Sequence, residues 1–370
     1  MTLRDPVQEK SVATYINRLM SGVSRSAVLK AFPTRTVKRI DLSRFRIAYS
    51  NAPEEMVQTL VRPESTHRLV FADYRHADQR GTESRALLTT LRTKLSREAE
   101  AAHRETGLWM LWLAYPLLYA PHPNPENDDY LLAPLFLWPI RIQTTGLSEN
   151  EINLKRESGA PRFNRIAWQW IRRHLDFDPT EPNGVDLLEL QSYQDLRELV
   201  SKCCVGFRPG IDATLTPQVV AVPTRQTLKS WPHPRLLDSG VVGLIQWENM
   251  ELLADLESLH QRDDLLGPAG EFLREQKALT RRVLEPPPEK DRFLVTFADH
   301  SQERAIWQAR HPEGVVVHGP PGTGKSQVIV NIVADALAHG EHVLVVCQKK
   351  AALARLRGFA VVKSSKWLKN

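Results

Sequence analysis

A chain of 370 residues, 42% hydrophobic and 25% charged, has an ordinary globular composition and room for two or three cored domains. It contains no run of about 18 apolar residues, which excludes a membrane-spanning helix. The start Met1-Thr2-Leu3-Arg4-Asp5 lacks the apolar core of a signal peptide, so a cytoplasmic protein is expected. The net charge of +6 is local in origin. Lys and Arg recur without any acid from His342 to Asn370, and a second basic stretch, Arg25 to Arg46, has Asp41 as its one acid. Such a balance suits a polyanionic partner, although solvated surface charge explains the N-terminal stretch equally well. Cys203, Cys204 and Cys347 have no metal-ligand spacing and read as structural thiols in a reducing compartment.

Residues 1–80 carry no chemical motif. Tyr15, Ile16 and Leu19 stand at helical spacing, and Leu42, Phe45 and Ile47 suit the start of a strand. From Glu83 to Glu105, Leu87, Leu88, Leu91, Leu95, Ala99 and Ala102 recur every three or four residues and predict a helix, with Gly107 as its C-cap. An apolar strand follows from Leu108 to Tyr115, then a loop over Ala120–Asp129 and a second strand from Leu131 to Ile142. Pro134 and Pro139 should keep that strand at an edge or break it. Trp109, Trp112, Phe136 and Trp138 read as core rather than as a base-stacking platform. Helices are predicted over Phe163–Leu175, Ser192–Cys204 and Asn249–His260, and strands over Val219–Val222 and Val241–Ile245. The stiff, polar stretch Glu285-Pro286-Pro287-Pro288-Glu289-Lys290 is the best linker. Beyond it, a helix is expected over Ser301–Arg310 and strands over Val315–Val317 and Val343–Cys347.

The chemistry concentrates in Gly319-Pro320-Pro321-Gly322-Thr323-Gly324-Lys325-Ser326, the G-x-x-x-x-G-K-[ST] phosphate loop, between a β-branched run and a helix predicted to reach Ala338. Glycines let successive N–H groups point at a polyphosphate, Lys325 sets an ammonium against the β and γ phosphates, and the Ser326 hydroxyl suits Mg²⁺. The helix dipole favours the same anion. Upstream, Gln302 offers an amide donor and acceptor to an adenine edge, which favours ATP over GTP. Gln348-Lys349-Lys350 end the next strand, where amide and basic groups suit a phosphodiester backbone.

Ser301-Gln302-Glu303-Arg304-Ala305, Val315 to Ser326 and Val343 to Leu353 together resemble the superfamily 1 DNA/RNA helicases of the Upf type. Glu105 to Leu111, Leu132 to Ile140 and Gly243 to Met250 are similar to an uncharacterised domain that precedes this helicase core in large bacterial proteins. By that resemblance Gln302 is the adenine-sensing residue, Gly319–Ser326 the ATP-phosphate motif, and Gln348, Lys349 and Lys350 a contact to single-stranded DNA or RNA. The implied fold is an α+β N-terminal domain followed by the start of an α/β RecA-like P-loop NTPase core. The expected division is an N-terminal region over 1–80, the helicase-associated domain over 81–284, a linker over 285–292 and an incomplete NTPase domain over 293–370.

The family's Mg²⁺-binding and water-activating acids, arginine finger and second RecA-like domain lie downstream of the loop. After Lys325 the acids here are Asp335, on the helix body, and Glu341, in a turn. The tail from Val361 departs from the family pattern, as in a helicase cut short by a stop or a frameshift. The expected function is thus the ATP-binding N-terminal part of a helicase that is not a motor by itself, with no catalytic residue assigned and with a separately encoded remainder as one conceivable partner. The alternatives are a non-enzymatic nucleic-acid- or protein-binding module with a remnant loop and a small-molecule kinase. The kinase is disfavoured because no lid or second Arg cluster follows.

Overall fold

A computed structural model of the chain describes residues 6–354 except 35–38, 48–56, 58–60, 62–65, 72–88, 90, 125, 127–128, 144–150, 158–160, 176, 178–179, 183–186, 188, 206–214, 262–283, 312–313, 348 and 351. Two compact units form, one of residues 1–103 and 109–263, the other of residues 104–108 and 264–370. Among the described residues no helix is long and apolar enough to cross a membrane.

The first unit opens with helix α1 (Pro6–Val23). Its buried stripe is Val12, Ile16, Met20 and Val23, spaced to share one helical face, whereas Tyr15 is exposed. Strands β1 (Arg39–Asp41), β2 (Phe45–Ile47) and β3 (Thr66–Phe71) follow. Helix α2 (Ser96–Thr106) is preceded by a π turn over Leu91–Leu95 and buries Ala99. Gly107, at φ +83°, closes it, a left-handed position suited to glycine. The expected helix start over Glu83–Leu88 lies outside the described residues. Next come β4 (Leu111–Pro121), β5 (Tyr130–Gln143), β6 (Glu151–Arg156) and β7 (Arg162–Phe163). Helices α3 (Arg165–His174), α4 (Tyr193–Cys204) and α5 (Arg225–Lys229) precede β8 (Arg235–Leu237), β9 (Val241–Leu244) and α6 (Glu248–Gln261).

These strands form one sheet in the order β1-β9-β4-β5-β6-β3-β2, with β8 also on β4 and β7 on β5. Every strand pairing is antiparallel. The central hairpin is buried at every position from Leu111 to Ala120 and from Leu131 to Ile140. Strands buried on both faces read as continuous apolar runs, which is how these two stretches read. Trp112, Phe136 and Trp138 are core residues, each at most 3% exposed. Helix α3 packs on β5, and α1 and α3 each pack against α6.

Three expectations change in the first unit. The first hairpin strand begins at Leu111 rather than Leu108; Met110 instead accepts a hydrogen bond from Ile245 N–H with its carbonyl. Val219–Val222 is no strand: Val220 N–H donates to the Asp238 carbonyl and Val222 N–H to Asp41 Oδ2. Most instructive, β5 is neither broken nor at an edge despite its two prolines. In an antiparallel ladder a residue's N–H and C=O point to the same neighbour. The Pro134 carbonyl accepts from Asn164 Nδ2 and the Pro139 carbonyl from Glu157 N–H, both on the side away from β4. The missing donors therefore fall on the other edge, outside the β7 and β6 pairings. No hydrogen bond to β4 is lost.

Asn164 ties this unit together. Fully buried as the N-cap of α3, it accepts from Ala167 N–H at 3.1 Å and donates from Nδ2 to the carbonyls of Val28 and Pro134. Both amide protons and the carbonyl oxygen are thus used, as burial requires. Helix α4 starts with a reciprocal capping box between Ser192 and Asp195. Cys203 and Cys204 on its last turn are buried and form no disulfide, and burial pushes the Cys204 thiol up to about 12.

The second unit contains helix α7 (His300–Gln308) and helix α8 (Lys325–Ala338). Ile306 and Trp307 of α7 meet Val328 of α8, with Leu294, Ala298 and Ile332 around them. The expected strands Val315–Val317 and Val343–Cys347 are not strands, and the unit has none among its described residues. Val316 is 75% and Leu344 87% exposed. A β-branched run becomes a strand only beside a partner, and a parallel strand needs cover on both faces. Neither is present here among the described residues. The proline-rich stretch keeps its backbone close to α7: Leu284 exchanges two hydrogen bonds with the Gln308 amide, and Arg292 Nε donates to the Pro287 carbonyl.

Candidate nucleotide site

The phosphate loop sits at the N-terminus of α8, and its shape follows from its glycines. Gly324 caps the helix at φ +76° and ψ 22°, and Gly322 takes φ +87°. Both are left-handed conformations in which a side chain is strained. At Gly324 space is short as well: an added Cβ would stand 2.4 Å from Gln302 Nε2 and 2.5 Å from Gln327 Oε1. The loop closes on itself through Thr323, whose hydroxyl donates to the Pro320 carbonyl at 2.8 Å.

Lys325 is exposed and its ammonium donates to the carbonyls of Gly319 and Pro320, the latter at 3.3 Å. The charge is therefore held over the mouth of the loop by weak neutral acceptors, a stronger anion being its natural competitor. Ser326 is exposed on the first turn beside it. This places the loop's N–H groups, the helix dipole, an ammonium and a hydroxyl at one exposed helix end, a donor set that fits a polyphosphate and its Mg²⁺.

Gln302 is brought to the loop, but its amide is partly engaged. Oε1 accepts from Asp299 N–H at 3.1 Å, completing the capping box of α7, and Nε2 donates to the Thr323 carbonyl at 3.1 Å. An amide has two protons and two lone pairs, so one donor and one acceptor remain for an adenine edge. The Asp299 carboxylate is held below the usual range, first by the Ser301 hydroxyl and then by Gln302 N–H.

Three residues that sequence reading did not assign hold α8 in place. Asn331, fully buried, accepts from the N–H groups of Val295 and Thr296 and donates to the Thr296 carbonyl. Asp335, 3% exposed, receives Arg310 through Nε at 2.7 Å and Nη2 at 2.6 Å. That bond to Asp335 is the first cause holding the Arg310 guanidinium above its ordinary value. Asp335 is thus committed to an ion pair on the helix body. The available signal was spacing: Val328, Asn331 and Asp335 share one face of α8, where a buried Asn and Asp call for partners. Of the expected strand contact, Lys349 and Lys350 are exposed, Lys349 is ion-paired with Glu105 of the same unit, and Gln348 lies outside the described residues.

Residues 3–168 match the family described as "Protein of unknown function (DUF4011)", and residues 298–358 match the AAA domain family AAA_11. The second match takes in α7, the phosphate loop and α8. The matches thus place a region similar to DUF4011 ahead of one similar to the superfamily 1 helicase-type AAA_11 domain. The DUF4011 match ends within α3, yet the sheet it builds also contains β8 and β9 from beyond that match.

Two curated relatives extend the comparison. The chain is 26% identical to "Uncharacterized ATP-dependent helicase MG140" of Mycoplasma genitalium, over 68% of this chain and 22% of that protein. It is 25% identical to "Uncharacterized ATP-dependent helicase MG140 homolog" of Mycoplasma pneumoniae, over 70% of this chain and 23% of that protein. The alignments thus span less than a quarter of the length of either relative. No solved structure matches. The likeness to superfamily 1 helicases that the sequence suggests is borne out at the level of these matching regions, and the expected α+β architecture stands.

Proposed function

We propose that the DUF4011–AAA_11 chain binds ATP with Mg²⁺ at Gly319–Ser326 and that these 370 residues, taken alone, neither hydrolyse it at a useful rate nor unwind nucleic acid. The observation that carries the reading is the loop itself, with left-handed Gly322 and Gly324 and the Lys325 ammonium held over its mouth. Pro320, Pro321 and Thr323 shape the turn. Gly319, Gly322 and Gly324 leave the backbone open to phosphate oxygens, and Lys325 opposes the β and γ phosphates. Ser326 would hold Mg²⁺ from the loop side, and the metal would supply positive charge to the polyphosphate. Gln302 reads the adenine edge with the donor and acceptor that its capping role leaves over.

The absence of turnover follows from where the acids are. Hydrolysis needs a carboxylate near Mg²⁺ and a group that orients water, and an arginine finger alone is worth on the order of 10³-fold or more. Asp335 is occupied by Arg310, and Glu341 lies in the turn after α8. In a longer helicase, or beside a separately encoded remainder, downstream elements would supply these groups, and Gln348, Lys349 and Lys350 would meet a single strand of DNA or RNA.

Titration calorimetry with Mg-ATP tests the binding claim. Lys325→Ala should weaken binding at least about tenfold, and Gln302→Ala should narrow the preference for ATP over GTP. Equal affinities for the parent and Lys325→Ala would reduce the loop to a remnant in a non-enzymatic module. Strand-stimulated hydrolysis that Lys325→Ala abolishes would overturn the claim that the chain alone does not turn over.

A further inference from the structure

The first unit holds a groove of about 830 Å³ between the segment after α1, the start of β5 and helix α5. Arg25, Lys30, Arg225 and Lys229 line it against one acid among the described residues, Asp129. The cations are interleaved with half-buried rings. Lys30 Nζ lies 2.6 Å from Asp129 Oδ1 and 4.0 Å over the Tyr130 ring, and the Arg225 guanidinium is 5.3 Å from the Phe32 ring centre. Phe32 and Tyr130 meet edge to face at 6.2 Å. Lys30 is held below its ordinary pKa by burial first, with the Arg225 charge adding to the effect against the opposing pull of Asp129. Like charges gathered around one carboxylate repel one another, and an incoming anion relieves that repulsion. Arg25 and Arg225 are exposed, and neither has a carboxylate partner among the described residues.

We propose that this groove binds a single strand of nucleic acid, with Arg25 and Arg225 on its phosphates and Phe32 and Tyr130 as the stacking surface. An acidic protein segment would satisfy the cations but gives the rings no role, whereas every base has a face that stacks on them. The groove shares no residue with the nucleotide loop, and its occupation does not require ATP.

The test uses the full chain without nucleotide and fluorescence anisotropy of labelled oligothymidylate and oligouridylate of about 20 residues. The pair Arg25→Glu/Arg225→Glu should weaken binding at least about tenfold and flatten its salt dependence. An abasic strand of equal length should bind several-fold more weakly than oligothymidylate, and Lys325→Ala should bind like the parent, so failure of the nucleotide proposal leaves this result readable. Arg25→Gln/Arg225→Gln, which removes charge without reversing it, serves if circular dichroism shows the reversed pair misfolded. Parental affinity in the folded variant would overturn the proposal. So would equal binding of the abasic strand, or displacement by polyglutamate as effective as by unlabelled oligonucleotide, which would mark an acidic protein partner instead.

Discussion

Two apolar β-forming stretches in this chain meet opposite fates. The hairpin of β4 and β5 is buried throughout its centre on both faces, with strands on either side and helices over it. The run Val315–Val317, and Val343, Leu344 and Val346 of the second run, at least as β-branched, stand exposed without a ladder. The difference is not one of local propensity. A strand is a relation between segments, so composition states what a stretch can do, and partners and cover decide what it does. The helices show the converse: α7 and α8 form in the second unit with no strand among its described residues, because a helix satisfies its own backbone and needs only one packed face.

The largest expected effect sharpens that comparison from the covered side. Phe136 is fully buried and meets Phe163 and Trp138. Phe136→Ala should cost the first unit about 3–5 kcal/mol, read as a lower denaturant midpoint with an unchanged slope. A loss below about 1 kcal/mol would mean that the hairpin core collapses freely onto the void.

Next in size is the tie that lets α8 stand without a sheet. Asp335→Ala leaves Arg310 without its carboxylate. A fully buried pair broken this way costs about 3–5 kcal/mol, but the Arg310 side chain is 31% exposed, so about 1–3 kcal/mol is expected. Amide hydrogen exchange along α8 is the readout, with faster exchange from Val328 to Ala338 as the expected result. Unchanged protection would show that the Ile306–Trp307–Val328 contacts and the Asn331 hydrogen bonds hold the helix without the ion pair.

A smaller effect compares the capping boxes of the two units. The Asp195 carboxylate is held below the usual range first by Gln191 N–H, and that of Asp299 first by the Ser301 hydroxyl. With a folded pKa depressed below the unfolded value of about 3.9, each contribution is fully present above that value. Each is lost as pH falls through the folded value. Both helix starts should therefore hold at pH 5 and weaken below about pH 4, seen as chemical-shift changes at the Gln191, Ser192 and Gln302 amides. A change centred near pH 6 would assign the effect to histidines instead.

How much of this could be read from the sequence follows the same division. The phosphate loop was legible because its chemistry is local: the glycine spacing, the lysine and the helix behind it need no distant partner. Helices α3, α4, α6 and α8 were legible as helical stretches, whereas the reciprocal cap of Ser192 with Asp195 came from the structure. Pro134 and Pro139 misled because spacing cannot say which edge of a strand a proline faces. Asn164 was missed because its partners, Val28 and Pro134, are far away in sequence. The basic stretch from Arg25 was visible as charge, but its union with Arg225 and Tyr130 depends on the fold.

The smallest expected effect is the most direct challenge to the comparison. Val316, 75% exposed, has a side chain that loses little when cut to a methyl, so Val316→Ala should change the stability of the second unit by no more than about 0.5 kcal/mol. A cost of about 1 kcal/mol or more is what a buried valine gives when trimmed. That result would mean that the run before the phosphate loop is covered in the folded molecule, and the contrast with β4 and β5 would then lie only in which segments supply the cover. A cost near zero with intact Mg-ATP binding would show something stronger: the loop's glycines and α8 suffice to shape the nucleotide site without a packed strand before them.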